Sequence, residues 1–166
     1  PVPWDGSASG ELQCRGNWIA ATYYDDERAA DSFTADGWLR TGDVATVDAR
    51  GRIRLVDRTK DLIKSGGEWI SSVELENELM SHPDIAEAAV VGVAHPRWGE
   101  RPLACVVPVA GALLGVDDVL DHLRDKVAKW QLPEAVEFID EVPKTSVGKF
   151  SKKDLRDRFS GYFLDV

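Results

Sequence analysis

Apolar and polar positions divide this 166-residue chain into two stretches of different character. Over residues 1–60 the apolar residues come in short runs. Glu11–Arg15 and Asn17–Tyr24 read as short strands, with Gly16 between them. Asp25–Asp36 is polar, with a short helix predicted around Glu27–Phe33. Gly37–Asp43 leads into a hairpin with arms Val44–Val47 and Arg52–Val56, and Gly51 in the turn can take positive φ. These strands are too few and too short to close a core unaided. They read as the edge of something larger.

The remainder reads as a compact α+β unit. A helix is predicted over Ser72–Ser81, stopping before His82 and Pro83; Ser71 and Glu74 fit the capping-box spacing at its start. Ile85–Ala94 and Leu103–Val109 are apolar strands. Val116, Leu120, Leu123 and Val127 recur at helical spacing. Ala135–Ile139 alternates as a strand, and Val142–Gly148 is a loop. Ser151 is placed to cap a final helix that turns Leu155 and Phe159 inward. A boundary falls near Lys60, where the sheet-edge material ends.

Composition narrows the classes. A hydrophobic share of 43% with 30% charged residues is that of a globular protein. The net charge of −9 makes nucleic acid or an anionic membrane an unsuitable general partner. No run approaches the ~18 apolar residues of a membrane span. Cys14 and Cys105 stand alone, which argues for a reducing compartment and against a disulfide scaffold. Against the acidic background, residues 141–159 gather Lys144, Lys149, Lys152, Lys153, Arg156 and Arg158. Such an island is either a solvated helix face or a local anion site. The opening residues, Pro1 to Gly6, read like the middle of a loop, so a fragment or processed piece is expected.

Candidate chemistry concentrates in three places. Residues 57–76 combine the cations Arg58, Lys60 and Lys64 with the pair Gly66 and Gly67, then Glu68 and Trp69. Cations beside a loop that lets backbone approach closely suit a phosphate-bearing ligand. A solvated hairpin leading into a helix accounts for the same residues. The loop Pro143–Phe150 ends in Gly148 and Lys149, but Pro143 and Phe150 occupy positions where a phosphate loop needs Gly and Ser or Thr. Asp43, directly after Gly42, is either a turn residue or an acceptor for a sugar diol. His82, His95 and His122 have no metal-ligand spacing, and no Gly-x-Ser-x-Gly elbow is present. Trp98 and Trp130 fit either a core or an interface.

In order, Glu11–Gly16 (ELQCRG), Gly37–Asp43 (GWLRTGD), Asp57–Lys64 (DRTKDLIK) and Pro143–Lys149 (PKTSVGK) resemble successive motifs of the adenylate-forming enzymes. These comprise acyl-CoA synthetases, adenylation domains of nonribosomal peptide synthetases and firefly luciferase. Ser65–Glu74 (SGGEWISSVE), His95–Pro102 (HPRWGERP) and Ala128–Pro133 (AKWQLP) resemble the medium- to long-chain fatty acyl-CoA synthetase branch.

The resemblance implies the C-terminal part of a longer enzyme. Residues 1–59 would be the β-rich end of a large N-terminal domain, Lys60 a hinge, and residues 61–166 a mobile, mixed α/β C-terminal domain. It implies a cytoplasmic ligase, homodimeric in its parent form, that uses ATP, Mg2+, a fatty acid and coenzyme A. The Mg2+ ligands and the acyl pocket are expected upstream, with no metal ligand in these residues. The isolated 166 residues would be inactive without their N-terminal domain. Lys149 matches the lysine bridging acyl carboxylate and α-phosphate during adenylation. Asp43 matches the acid that holds the ribose hydroxyls, and Arg58 the arginine assisting it. Lys64 would touch the nucleotide phosphate after rotation about Lys60. Gly66, Gly67, Glu68 and Trp69 would form the face along which pantetheine reaches the acyl-adenylate. The alternative is an aryl- or amino-acid-activating enzyme that loads a carrier protein; no attachment serine in a Gly-Gly-x-Ser context follows Lys149.

Overall fold

The computed structural model describes residues 1–26 and 31–164, and these divide into two compact units, Pro1–Lys60 and Asp61–Val166. The first unit is an antiparallel sheet of β1 (Ser9–Cys14), β2 (Leu39–Val47) and β3 (Ile53–Arg58), in the order β1-β2-β3. Val44, Ala45 and Thr46 are its buried centre. The first arm is longer than the apolar run alone predicts, because Leu39 and Arg40 also pair with β1. The strand predicted over Asn17–Tyr24 does not form. A turn takes its place, with the Ile19 amide donating to the Gly16 carbonyl at 3.0 Å, and Trp18 and Tyr24 lie almost wholly in solvent. Among the described residues no strand edge pairs with this stretch. The helix predicted around Glu27–Phe33 lies partly outside the described residues; Phe33 itself forms an antiparallel bridge to Leu39.

In the second unit, β6 (Ile85–His95) and β7 (Gly99–Pro108) form a long antiparallel pair. The other edge of β7 carries β4 (Ile63–Ser65) at its start and β8 (Ala135–Phe138), parallel to it, further along. β5 (Glu68–Ile70) closes a hairpin onto β4. Alternation along a strand sends successive side chains to opposite faces. Ala88, Val90, Ala104 and Val106 therefore face one way, packing with Leu75 and Leu79 of α1 (Ser72–Met80) and Val119 and Leu123 of α2 (Val116–Arg124). Ala89, Val91, Leu103 and Cys105 face the other way, against Leu155 of α3 (Lys152–Arg158) and Phe163. Helices on both faces explain why β6 and β7 are nearly continuous apolar runs.

Local chemistry sets the helix ends. Ser71 Oγ accepts from the Glu74 amide at 3.1 Å, capping α1. Gly115 begins α2, its amide donating to Asp118 Oδ2 at 2.8 Å. α2 ends at Arg124, so Val127 reaches the core from beyond the helix, and Val119 fills the buried position next to Leu123. Ser151 occupies the cap position of α3, but its side chain makes no cap hydrogen bond. Its amide donates to the Pro143 carbonyl at 2.7 Å instead, so this residue closes a loop.

Candidate functional site

In the first unit, cross-strand pairing sets Asp43 of β2 opposite Arg58 of β3. Arg58 Nε donates to Asp43 Oδ1 at 3.0 Å. The local backbone is held: Thr41 Oγ1 accepts from the Asp43 amide at 3.1 Å, and the Thr59 amide donates to the Gly42 carbonyl at 2.8 Å. Gly42 has φ +74°, a conformation disfavoured for other residues. A register shift next to Val44 bends the ladder beside the pair. The pair is partly exposed, and such ion pairs contribute only ~0–1 kcal/mol to stability. A carboxylate has about four lone-pair sites, and Arg58 takes one, so Asp43 can still accept from a diol.

Lys60 is exposed in the turn that ends this unit. Thr59 is fastened within the first unit by its bond to Gly42, and Asp61 within the second by an ion pair from Arg156 Nη1 at 2.7 Å. One residue separates the two fastenings.

In the second unit, Lys149 rides a loop that folds on itself. The Thr145 amide donates to the Lys149 carbonyl at 2.7 Å, the Gly148 amide to the Thr145 carbonyl at 2.9 Å, and the Lys149 amide to Thr145 Oγ1 at 3.2 Å. Gly148, at φ +79°, makes the turn. The base of the loop hangs on Glu87 of β6, which accepts from Lys144 Nζ at 2.7 Å and from the Val142 amide at 3.3 Å. The Lys144 hydrogen bond, helped by the Val142 amide, holds the Glu87 carboxyl below its usual range. Beyond the loop, Lys152 Nζ reaches Glu76 Oε1 at 2.8 Å and donates to Ser72 Oγ at 2.7 Å, fixing α3 to α1. The lysine tip itself is exposed.

Gly66 and Gly67 form the tip of the β4–β5 hairpin, at φ +60° and +92°. The Gly66 amide donates to the Trp98 carbonyl at 2.8 Å, and the Lys64 amide to Glu100 Oε2 at 2.8 Å, tying the hairpin to the start of β7. A cleft of about 520 Å³ opens beside it, between Gly66 and Glu68 on one side, with Trp98, and Trp130 on the other. Lys64 and Trp69 are cross-strand partners on the opposite face of the hairpin, the ammonium 4.8 Å from the ring centroid. The structure thus gathers Gly66 and Glu68 at the cleft and sets Lys64 with Trp69 behind them. Trp98, Trp130 and Arg101 belong to the cleft as well. Their motifs, HPRWGERP and AKWQLP, stood out in the sequence, but no spacing showed that they converge. Among the described residues, no group of three or more His, Cys, Asp or Glu could hold a metal ion.

The architecture is that of a small mixed α/β domain, with a lysine-bearing loop and a glycine-edged cleft at separate places. Residues 74–149 match the family described as the AMP-binding enzyme C-terminal domain. ATP-bound MatB from Rhodopseudomonas palustris superposes with a TM-score of 0.87 at 32% identity, over 95% of this chain and 31% of that one. A long-chain-fatty-acid–CoA ligase from Thermus thermophilus is 53% identical over 98% of this chain and 30% of its own length. A 3-methylmercaptopropionyl-CoA ligase from Ruegeria lacuscaerulensis is 47% identical over 95% of this chain and 29% of its own. Residues 74–149 are thus an AMP-binding enzyme C-terminal domain, and the relatives the chain resembles are CoA ligases. It spans about 30% of the length of the curated relatives it matches.

Proposed function

We propose that this chain is the C-terminal portion of an acyl-CoA ligase that activates a medium- or long-chain fatty acid. In the first half-reaction an acid carboxylate oxygen attacks the α-phosphorus of ATP, and pyrophosphate leaves. In the second, the sulfur of coenzyme A attacks the acyl carbon, the thiol gives up its proton, and AMP leaves. The observation that carries the reading is the Asp43–Arg58 pair, one carboxylate and one guanidinium meeting at 3.0 Å in a partly exposed place where stability gains little. Asp43 accepts from the ribose hydroxyls, and Arg58 holds its orientation. Two fixed contacts on one diol orient the nucleotide, and positioning contributes to rate.

Lys149 supplies the cation where negative charge gathers between the acid and the α-phosphate. Lys60, between two fastened neighbours, is the hinge that exchanges the Lys149 loop for the Gly66–Gly67 face. That face and its cleft receive coenzyme A, with Glu68 on the cleft side. Lys64, backed by Trp69, meets the nucleotide phosphate after the exchange. Identity of 53% with a long-chain ligase favours a fatty acid, and free Cys14 and Cys105 favour the cytoplasm. The name of the Ruegeria relative supports a second reading within the family, a short substituted acid.

The test is acid-dependent ATP–pyrophosphate exchange by the full-length enzyme, across acids of graded length. Exchange that peaks with medium or long chains agrees with the fatty-acid reading. Exchange with short substituted acids alone favours the second reading, and exchange with aryl or amino acids alone overturns both.

A further inference from the structure

Arg101 lies in β7 opposite Val93 of β6, and its side chain is only 11% exposed. Its guanidinium bonds to both sides of the cleft. Nη1 donates to Ser65 Oγ at 3.0 Å and to the Trp130 carbonyl at 2.8 Å. Nη2 donates to the Leu132 carbonyl at 2.9 Å, and Nε to Glu134 Oε2 at 2.8 Å. Ser65 directly precedes Gly66 in the hairpin wall, whereas Trp130 and Leu132 belong to the facing wall. Three of the four acceptors are therefore neutral, and they come from two separate segments of chain. A planar fork fixes the spacing between such acceptors, which a flexible ammonium cannot do.

We propose that Arg101 is a positioning residue for thioester formation. It sets the gap between the Gly66–Trp98 wall and the Trp130 wall, and so the fit of the coenzyme A that enters there. The proposal rests on the reading of this face as the coenzyme A face. The four hydrogen bonds of Arg101 go to Ser65, Trp130, Leu132 and Glu134, whereas the Lys149 loop hangs on Glu87, so the two half-reactions separate its effect from a general loss of folding.

Arg101→Lys keeps the charge and removes the fork. In the full-length enzyme, thioester formation from supplied acyl-adenylate should show a KM for coenzyme A raised roughly 10-fold or more, because fit depends on held geometry. ATP–pyrophosphate exchange should stay at the wild-type rate. In the 166-residue chain, the indole N–H resonances of Trp98 and Trp130 should move while those of Trp4 and Trp18 do not. If Arg101→Lys fails to fold, Ser65→Ala removes one wall contact, keeps the guanidinium and should raise the same KM by less. Trp130→Ala separates the positioning role of Arg101 from the cleft's role in coenzyme A binding. A raised KM in Trp130→Ala with none in Arg101→Lys overturns the positioning role and leaves the cleft as the coenzyme A face. An unchanged KM in both overturns the coenzyme A reading and the proposal with it. Equal losses in both half-reactions make Arg101 a packing residue and also overturn the proposal.

Discussion

The Lys149 loop and the Gly66 cleft belong to one unit but are built in opposite ways. The loop is exposed, bonds mainly to its own backbone, and hangs on Glu87 through the Lys144 ion pair. The cleft has walls tied together by a largely buried guanidinium, and one wall is braced by the bond from the Gly66 amide to Trp98. The difference teaches how one small domain can serve two steps. A lysine that must reach a reacting phosphate gains from a mobile tip, whereas a passage for a long, flexible ligand gains from walls fixed in advance. If the two places serve two half-reactions, substitutions at each should divide cleanly between them.

The largest effect is expected from Lys149→Ala. Losing a cation aimed at developing charge should lower exchange in the full-length enzyme by about 10²–10³-fold, while folding is untouched. A smaller loss is expected for Gly66→Ala. A Cβ there would lie 3.1 Å from Trp98 Cε3, at φ +60°, so Trp98, which lines the cleft, must give way by a few tenths of an ångström. Thioester formation should fall roughly 10-fold, with exchange preserved. Gly67→Ala sharpens the contrast. It carries backbone strain at φ +92° but its Cβ meets nothing within 4 Å, so it should cost stability by thermal melt and lower thioester formation less than Gly66→Ala does.

Of these two places, acid should act on the loop. Glu87 has its carboxyl held low by Lys144 and the Val142 amide. A depressed carboxyl contributes stability above its ordinary value, and that stability is lost as pH falls through the folded one. Amide exchange over residues 142–151 should therefore speed up below about pH 4.5, the ordinary carboxylate value, while the Gly66 amide keeps its protection. Glu87→Gln should abolish this pH dependence. The mildest expectation concerns the two thiols. Cys105 has no exposure, and burial pushes its thiol up to about 12, whereas Cys14 is half-buried. A thiol reagent at neutral pH should titrate Cys14 alone, and equal labelling of both would show that the sheet behind the loop opens readily.

Much of this was legible in residue order, for reasons that differ by place. β6 and β7 announced themselves because both faces are covered, which leaves apolar residues at nearly every position from Ala88 to Val91. Ser71 marked the start of α1 because its hydroxyl has a backbone donor three residues on. Asn17–Tyr24 misled because its apolar and aromatic residues have strand propensity, yet Trp18 and Tyr24 stay in solvent. The motifs containing Asp43, Arg58 and Lys149 were readable as a resemblance, and cross-strand register then showed why Asp43 and Arg58 meet. Arg101 could not be found that way. Its four acceptors lie 36, 29, 31 and 33 residues distant, and only folding brings them to one plane. Glu87 was hidden for the same reason, 57 residues from Lys144.

The most direct test of two places for two steps is single-turnover thioester formation by the full-length Lys149→Ala enzyme, supplied with preformed acyl-adenylate and coenzyme A. A rate near that of wild type is expected despite the collapse of exchange. A thioester rate that falls as far as exchange does would contradict it, because one loop would then be serving both half-reactions.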